Sequence, residues 1–144
     1  MHIKIIDQPL QLNLFGFGGI ASDKDHVGMA FKLSGKSWET LKANKIKNKG
    51  KNIWVYESGD AVFAGVELED NRDSNILEEK KILLEKYAYY KHTGPYNLIK
   101  QAGQNMIAEL TKQGLEVIFP YIEIYGHWTG DEKTSETELL MCVK

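Results

Sequence analysis

The segment FPYIEIYGHW, Phe119 to Trp128, puts Tyr121, Glu123, Tyr125 and His127 at alternate positions. Alternate side chains of an extended strand share one face, so a single carboxylate would stand between tyrosine rings. A carboxylate surrounded by rings is partly stripped of water, at a cost of several kcal/mol unless an opposite charge arrives. A lipophilic cation supplies that charge, and each well-placed tyrosine or tryptophan face adds about 0.5 to 2 kcal/mol of cation–π attraction. The same carboxylate, with its pKa raised by desolvation, could instead direct or deprotonate a water molecule. Alternation alone also fits the solvent face of a half-covered antiparallel strand. The surrounding elements must decide between a pocket and water.

Other chemically suggestive residues read as structural. SGKS, Ser34 to Ser37, resembles the end of a phosphate-binding loop, but the first glycine of that motif would fall on Ala30 and no strand directly precedes it, so it reads as a helix start. GFGG, Gly16 to Gly19, lacks dinucleotide-fingerprint spacing and reads as a turn or bulge. His26, His92 and His127 have no paired ligand spacing, so neither a metal nor a cofactor is expected. Lysines 42, 45, 47, 49 and 51 have no interleaved aromatics and read as a solvated run. Cys142 is the single cysteine, which excludes an intramolecular disulfide, and no base is placed beside it to make it a nucleophile. The stretch His92-Thr93-Gly94-Pro95-Tyr96 reads as a strand-to-helix turn rather than an anion site.

The elements follow from periodicity. Leu10, Leu12 and Leu14 alternate as a strand that the glycines then end, and Val27, Phe31, Trp38 and Leu41 share a helical face, with the helix start near Ser37. Asn52 to Glu57 and Ala61 to Leu68 form two strands joined at Ser58-Gly59-Asp60. After the acidic connector EDNRDSNILEE, KYAYYKH forms a strand and TGPYNLIKQAGQNMIAELTKQG a helix, with Pro95 at its first turn, Leu98, Ala102, Met106 and Leu110 as its apolar stripe and Gly114 at its end. PYIEIYG and ETELLMCVK supply two further strands. The order β-α-β-β thus occurs twice, over about residues 8–70 and 83–144, within a single domain spanning 1–144. Matching Tyr56 with Tyr125 also matches Trp54 with Glu123. Ile53, Val55, Ile122 and Ile124 would then face the helices, while Trp54, Tyr56, Tyr121, Glu123 and Tyr125 would line a groove at a pseudo-twofold axis. The fold class predicted is α+β, a duplicated unit with antiparallel sheets, two main helices and a ligand cleft between the halves.

NIWVYESGDAVFAGVEL, YYKHTGPYNLI and PYIEIYG, taken in order across nearly the whole chain, resemble the GyrI-like small-molecule-binding superfamily, which includes effector-binding domains of multidrug-sensing transcription activators. The resemblance implies a duplicated fold enclosing a cleft and an acidic residue, here Glu123, that meets cationic aromatic compounds. The ligand-binding set expected is Glu123, Tyr121, Tyr125, Trp54, Tyr56, Tyr89 and Trp128. The expected function is sensing or sequestration of hydrophobic, cationic or planar aromatic compounds. One alternative is hydrolysis of strained electrophilic genotoxins, with Glu123 acting beside Trp54 or Tyr56. Another is a protein-interaction role, such as gyrase inhibition, at the outer surface.

The bulk properties agree with such a module. A chain of 144 residues with 42% hydrophobic and 26% charged residues can form one packed domain. Its net charge of -2 gives no push toward nucleic acid or anionic membranes. No segment has the length and hydrophobicity of a membrane span or a signal peptide, so a cytoplasmic location is expected. No helix-turn-helix precedes the first strand, so a stand-alone module without direct nucleic-acid binding is expected.

Overall fold

The computed structural model describes residues 1–70, 76–126 and 130–144, with the side chain of Glu132 outside the description. Its elements are β1 (Lys4–Ile6), β2 (Leu10–Ile20), α1 (His26–Ala43), β3 (Asn52–Glu57), β4 (Ala61–Val66), β5 (Glu78–Leu84), β6 (Tyr87–Thr93), α2 (Ile99–Lys112), β7 (Val117–Tyr125) and β8 (Glu136–Val143). All eight strands join one antiparallel sheet in the order β1-β6-β8-β7-β3-β4-β2-β5. The α+β class and the doubled order are therefore as expected.

The order is symmetric about the β7–β3 junction. In that ladder Trp54 lies directly opposite Glu123, Tyr56 opposite Tyr121 and Asn52 opposite Tyr125. The two positions matched by the internal repeat thus face each other, as residues at a pseudo-twofold axis must.

Two strands were not legible in the sequence, and they tie the halves together. β1 precedes β2 but pairs with β6, while β5 precedes β6 but pairs with β2. Each half lends its leading strand to the other. Both are edge strands, and β5 (EEKKILL) turns Ile82 and Leu84 inward while carrying charge elsewhere, as edges that resist further pairing do. Three residues separate β1 from β2, a reach of about 14 Å between flanking Cα atoms, although the two strands lie near opposite ends of the sheet order. The sheet must therefore curl until its ends approach.

Curling gives the sheet two different faces. The concave face closes on itself around Leu12, Leu14, Ile53, Val55, Phe63, Ile82, Leu84, Ile122 and Leu140. Both helices lie on the other face: Ala30 and Leu33 of α1 pack with Trp54, Val62 and Ala64, and Ile99, Ala102, Met106 and Leu110 of α2 pack with Ala88, Leu139 and Met141. This reverses the facing expected from the sequence, which set Ile53 and Ile122 against the helices. A curled sheet can bury its aliphatic face without a helix, so those residues leave the helix side to the aromatic one.

Three local expectations are corrected in the same way. Gly16 to Gly19 form neither a turn nor a bulge but continue β2 to Ile20. Gly16 pairs with Gly65, and a Cβ on Gly16 would lie 2.0 Å from the Ala64 carbonyl oxygen, so the glycines permit a close approach of two backbones. α1 begins at His26 rather than near Ser37, capped by Asp25, whose Oδ1 accepts from the Gly28 amide at 2.9 Å. SGKS is consequently mid-helix. Ser34 and Ser37 sit on its buried side, with the single Ser37 hydroxyl proton shared between the Leu33 carbonyl in the helix and the Ala64 carbonyl of the sheet. The small serines bring α1 close to the sheet and rotate Val27 and Phe31, 54% and 64% exposed, away from the core. In the second half a 3-10 turn, Tyr96–Leu98, comes first, so Ile99 rather than Leu98 begins the buried stripe of α2.

Candidate functional site

Between α1 and α2 the β3–β7 junction is uncovered, and a cleft of about 1260 Å³ opens there. Trp54 and Tyr56 of β3 and Tyr121, Glu123 and Tyr125 of β7 form its floor. Five residues of the expected set are therefore brought together. The sixth, Tyr89, is placed elsewhere: it packs against the concave core and donates to Glu138 Oε1 at 2.6 Å, on the opposite face from the cleft. Its position on β6 follows the parity of Tyr87 rather than that of the helix-facing Ala88, a distinction that tyrosine composition could not reveal. Trp128 and His127 lie outside the described residues.

Glu123 is the centre of the floor. It is 7% exposed, and its carboxylate accepts hydrogen bonds from three phenols: Tyr121 to Oε2 at 2.7 Å, Tyr125 to Oε1 at 2.8 Å and Tyr56 to Oε1 at 3.3 Å. No ion pair reaches it among the described residues. Burial pushes its carboxyl pKa up, and the three phenol donors oppose that push without cancelling it. The phenols in turn are driven well above their ordinary value, first by burial and then by the neighbouring Glu123 charge, so their protons stay in place.

The rings around the carboxylate contact one another. Tyr56 stacks on Tyr121 with centroids 5.7 Å apart, and Trp54 meets Tyr125 at 4.7 Å. Two rings from the helix side complete the enclosure: Phe31 of α1 meets Trp54 edge-on at 5.0 Å, and Tyr96 ahead of α2 meets Tyr125 edge-on at 5.7 Å. Neither was among the expected ligand-binding residues. The sequence sets Phe31 on one helical face with Val27, Trp38 and Leu41, yet its 64% exposure places it on the cleft wall. The available signal was its neighbour Ser34, a small polar residue that suits the buried side of a closely packed helix. Gly103 of α2 also faces the cleft, 3.6 Å from the Tyr121 hydroxyl by the position a Cβ would take. The fourth corner of the floor, equivalent to Tyr121, is Asn52, whose amide exchanges hydrogen bonds with Ser34 at 2.9 and 3.2 Å.

A further group of charged residues borders the cleft beside α1. Asp60, at the β3–β4 turn, accepts from Lys24 Nζ at 2.5 Å and His26 Nε2 at 3.0 Å, and these contacts lower its pKa. The trio pins the approach to α1 against the hairpin, supported by a backbone bond from Ala21 to the Asp60 carbonyl at 2.9 Å. Among the described residues no cluster of three or more metal-ligating side chains occurs, and no helix is long and apolar enough to cross a membrane.

No protein-family model matches the sequence, and no curated protein matches it. Solved structures do match over the whole chain. SAV2435 bound to tetraphenylphosphonium has a TM-score of 0.68 at 18% identity, covering 100% of this chain and 94% of its own. The EcmrR C-terminal domain has a TM-score of 0.67 at 13% identity, covering 100% of this chain and 99% of its own. A hydrolase from Listeria innocua has a TM-score of 0.57 at 12% identity, covering 99% and 91%. At these identities the likeness is one of fold, and it is the fold that the resemblance to the GyrI-like superfamily implies.

Proposed function

We propose that this chain binds hydrophobic cations with planar or aromatic substituents in the cleft between α1 and α2, as a sensing or sequestering module. The observation that carries this reading is Glu123, a buried carboxylate held by three phenols with no basic partner among the described residues. Its unfavourable dehydration is relieved when a ligand brings the missing charge. Trp54, Tyr56, Tyr121 and Tyr125 offer ring faces on which flat or rotating aryl groups can pack without one fixed pose. That SAV2435, which shares this fold, has a structure bound to tetraphenylphosphonium supports the same ligand chemistry. Titration of tetraphenylphosphonium against intrinsic tryptophan fluorescence tests it: saturable quenching is expected, and no change up to millimolar ligand would count against it.

A second reading, hydrolysis of a strained electrophile, draws on the raised pKa of Glu123. A carboxylate made more basic by burial can take a proton from water as that water opens a strained ring, while the aromatic floor orients the substrate. Mass spectrometry separates the two readings. Product beyond one equivalent per chain, lost in Glu123→Gln, would favour catalysis, and its absence favours binding.

A further inference from the structure

The floor of the cleft is sorted by hydrogen-bonding sense. All three phenol protons of Tyr56, Tyr121 and Tyr125 are directed at one carboxylate. Their oxygens therefore retain lone pairs only. Among the described residues, Glu123 Oε1 accepts from two phenols and Oε2 from Tyr121 alone. A carboxylate oxygen accommodates about two donors, so Oε2 keeps one acceptor position. Asn52, at the corner of the floor, accepts from Ser34 Oγ and donates one of its two amide N–H groups back to it. Among the described residues, the buried Trp54 Nε1–H has no acceptor. A negative charge thus sits among phenol oxygens whose own protons are already committed to it.

We propose that the cleft selects cations that carry at least one N–H, such as protonated amines, amidinium or guanidinium groups, over fully alkylated ammonium ions of the same charge and ring system. The inference rests on the cation-binding reading above and narrows its ligand class. An N–H can be received at Oε2 with a phenol oxygen beside it, whereas a methylated nitrogen offers only charge. The direction of the preference is diagnostic because water solvates a protonated amine better than its quaternary analogue. With no acceptor inside the cleft, the quaternary ion would bind more tightly.

The test is calorimetric titration of the whole chain with 1-naphthylmethylammonium, its N,N-dimethyl tertiary ammonium and its N,N,N-trimethyl quaternary ion. Because one acceptor position is open at Oε2, the primary and tertiary ions should bind within about threefold of each other and at least tenfold tighter than the quaternary ion. In Glu123→Gln that step should shrink toward equality. A steady fall with each added methyl would show that size decides, and equal or tighter binding of the quaternary ion would show that charge alone decides. Either result overturns the inference, and equal Glu123-dependent binding of all three leaves the broader cation reading standing. If none of the three binds, the broader reading falls with it.

Discussion

Replacing Glu123 with glutamine removes the charge at the centre of the floor while keeping nearly the same shape. At an effective dielectric of about 20, unit charges about 4 Å apart attract by about 4 kcal/mol. Dehydration of the ligand offsets part of this, and hydrogen bonds to charged groups retain a net of about 1.5 to 3 kcal/mol. The dissociation constant of a cationic aryl dye should therefore rise roughly tenfold to a hundredfold. A neutral dye with the same rings should change little, since Trp54, Tyr56, Tyr121 and Tyr125 still line the cleft. Fluorescence titration of both dyes against both proteins gives the four constants required. Equal losses for the charged and neutral dyes would mean that the substitution damaged the cleft generally. An unchanged constant for the charged dye would refute the electrostatic argument.

The same substitution should alter stability with a defined pH dependence. Burial raises the Glu123 carboxyl pKa above its unfolded value, so its contribution to stability is complete below the unfolded value and is lost as pH rises through the folded one. Thermal melts should accordingly show Glu123→Gln gaining on the parent as pH rises above the ordinary carboxylate range, and a constant offset would contradict the assignment. Gly16→Ala, which forces a methyl against the Ala64 carbonyl, should cost about 3 kcal/mol or more by denaturant unfolding. Gly103→Leu should leave the melting temperature within a few degrees yet abolish binding of bulky cations, because its side chain would enter the cleft beside Tyr121. Asp25→Ala removes the cap of α1 and should cost about 1 kcal/mol by the same unfolding measurement.

The doubled plan, the register that sets Trp54 against Glu123 and five residues of the floor were legible because strand parity and repeat matching are properties of short stretches. What the sequence hid depends on distant partners. The acidic connector takes in only Glu78 and Glu79 of β5, and the rest goes unread as a strand because an edge strand needs only Ile82 and Leu84 inward and its pairing with β2 lies some 70 residues back in the chain. The exchange of leading strands makes the sheet curl, and curling decides which face the helices cover, so the reversal of Ile53 and Trp54 could not be read locally. Glycine was misread in β2 for a related reason: Gly16 serves contact with Gly65, which periodicity does not register. Phe31 and Tyr89 show the same limit from both sides, since one residue of the apolar helix face stands on the cleft wall and one tyrosine expected in the cleft packs against the concave core.

The central claim is that a cation sits over Glu123 among the floor rings. Intermolecular nuclear Overhauser effects between tetraphenylphosphonium and isotopically labelled protein test it most directly. Contacts from the phenyl protons to the rings of Trp54, Tyr56, Tyr121, Tyr125 and Phe31 are predicted, with the Glu123 carboxylate resonance shifting on the same titration. Contacts confined to residues outside the cleft, or a Glu123 resonance that stays fixed while the ligand binds, would contradict the account.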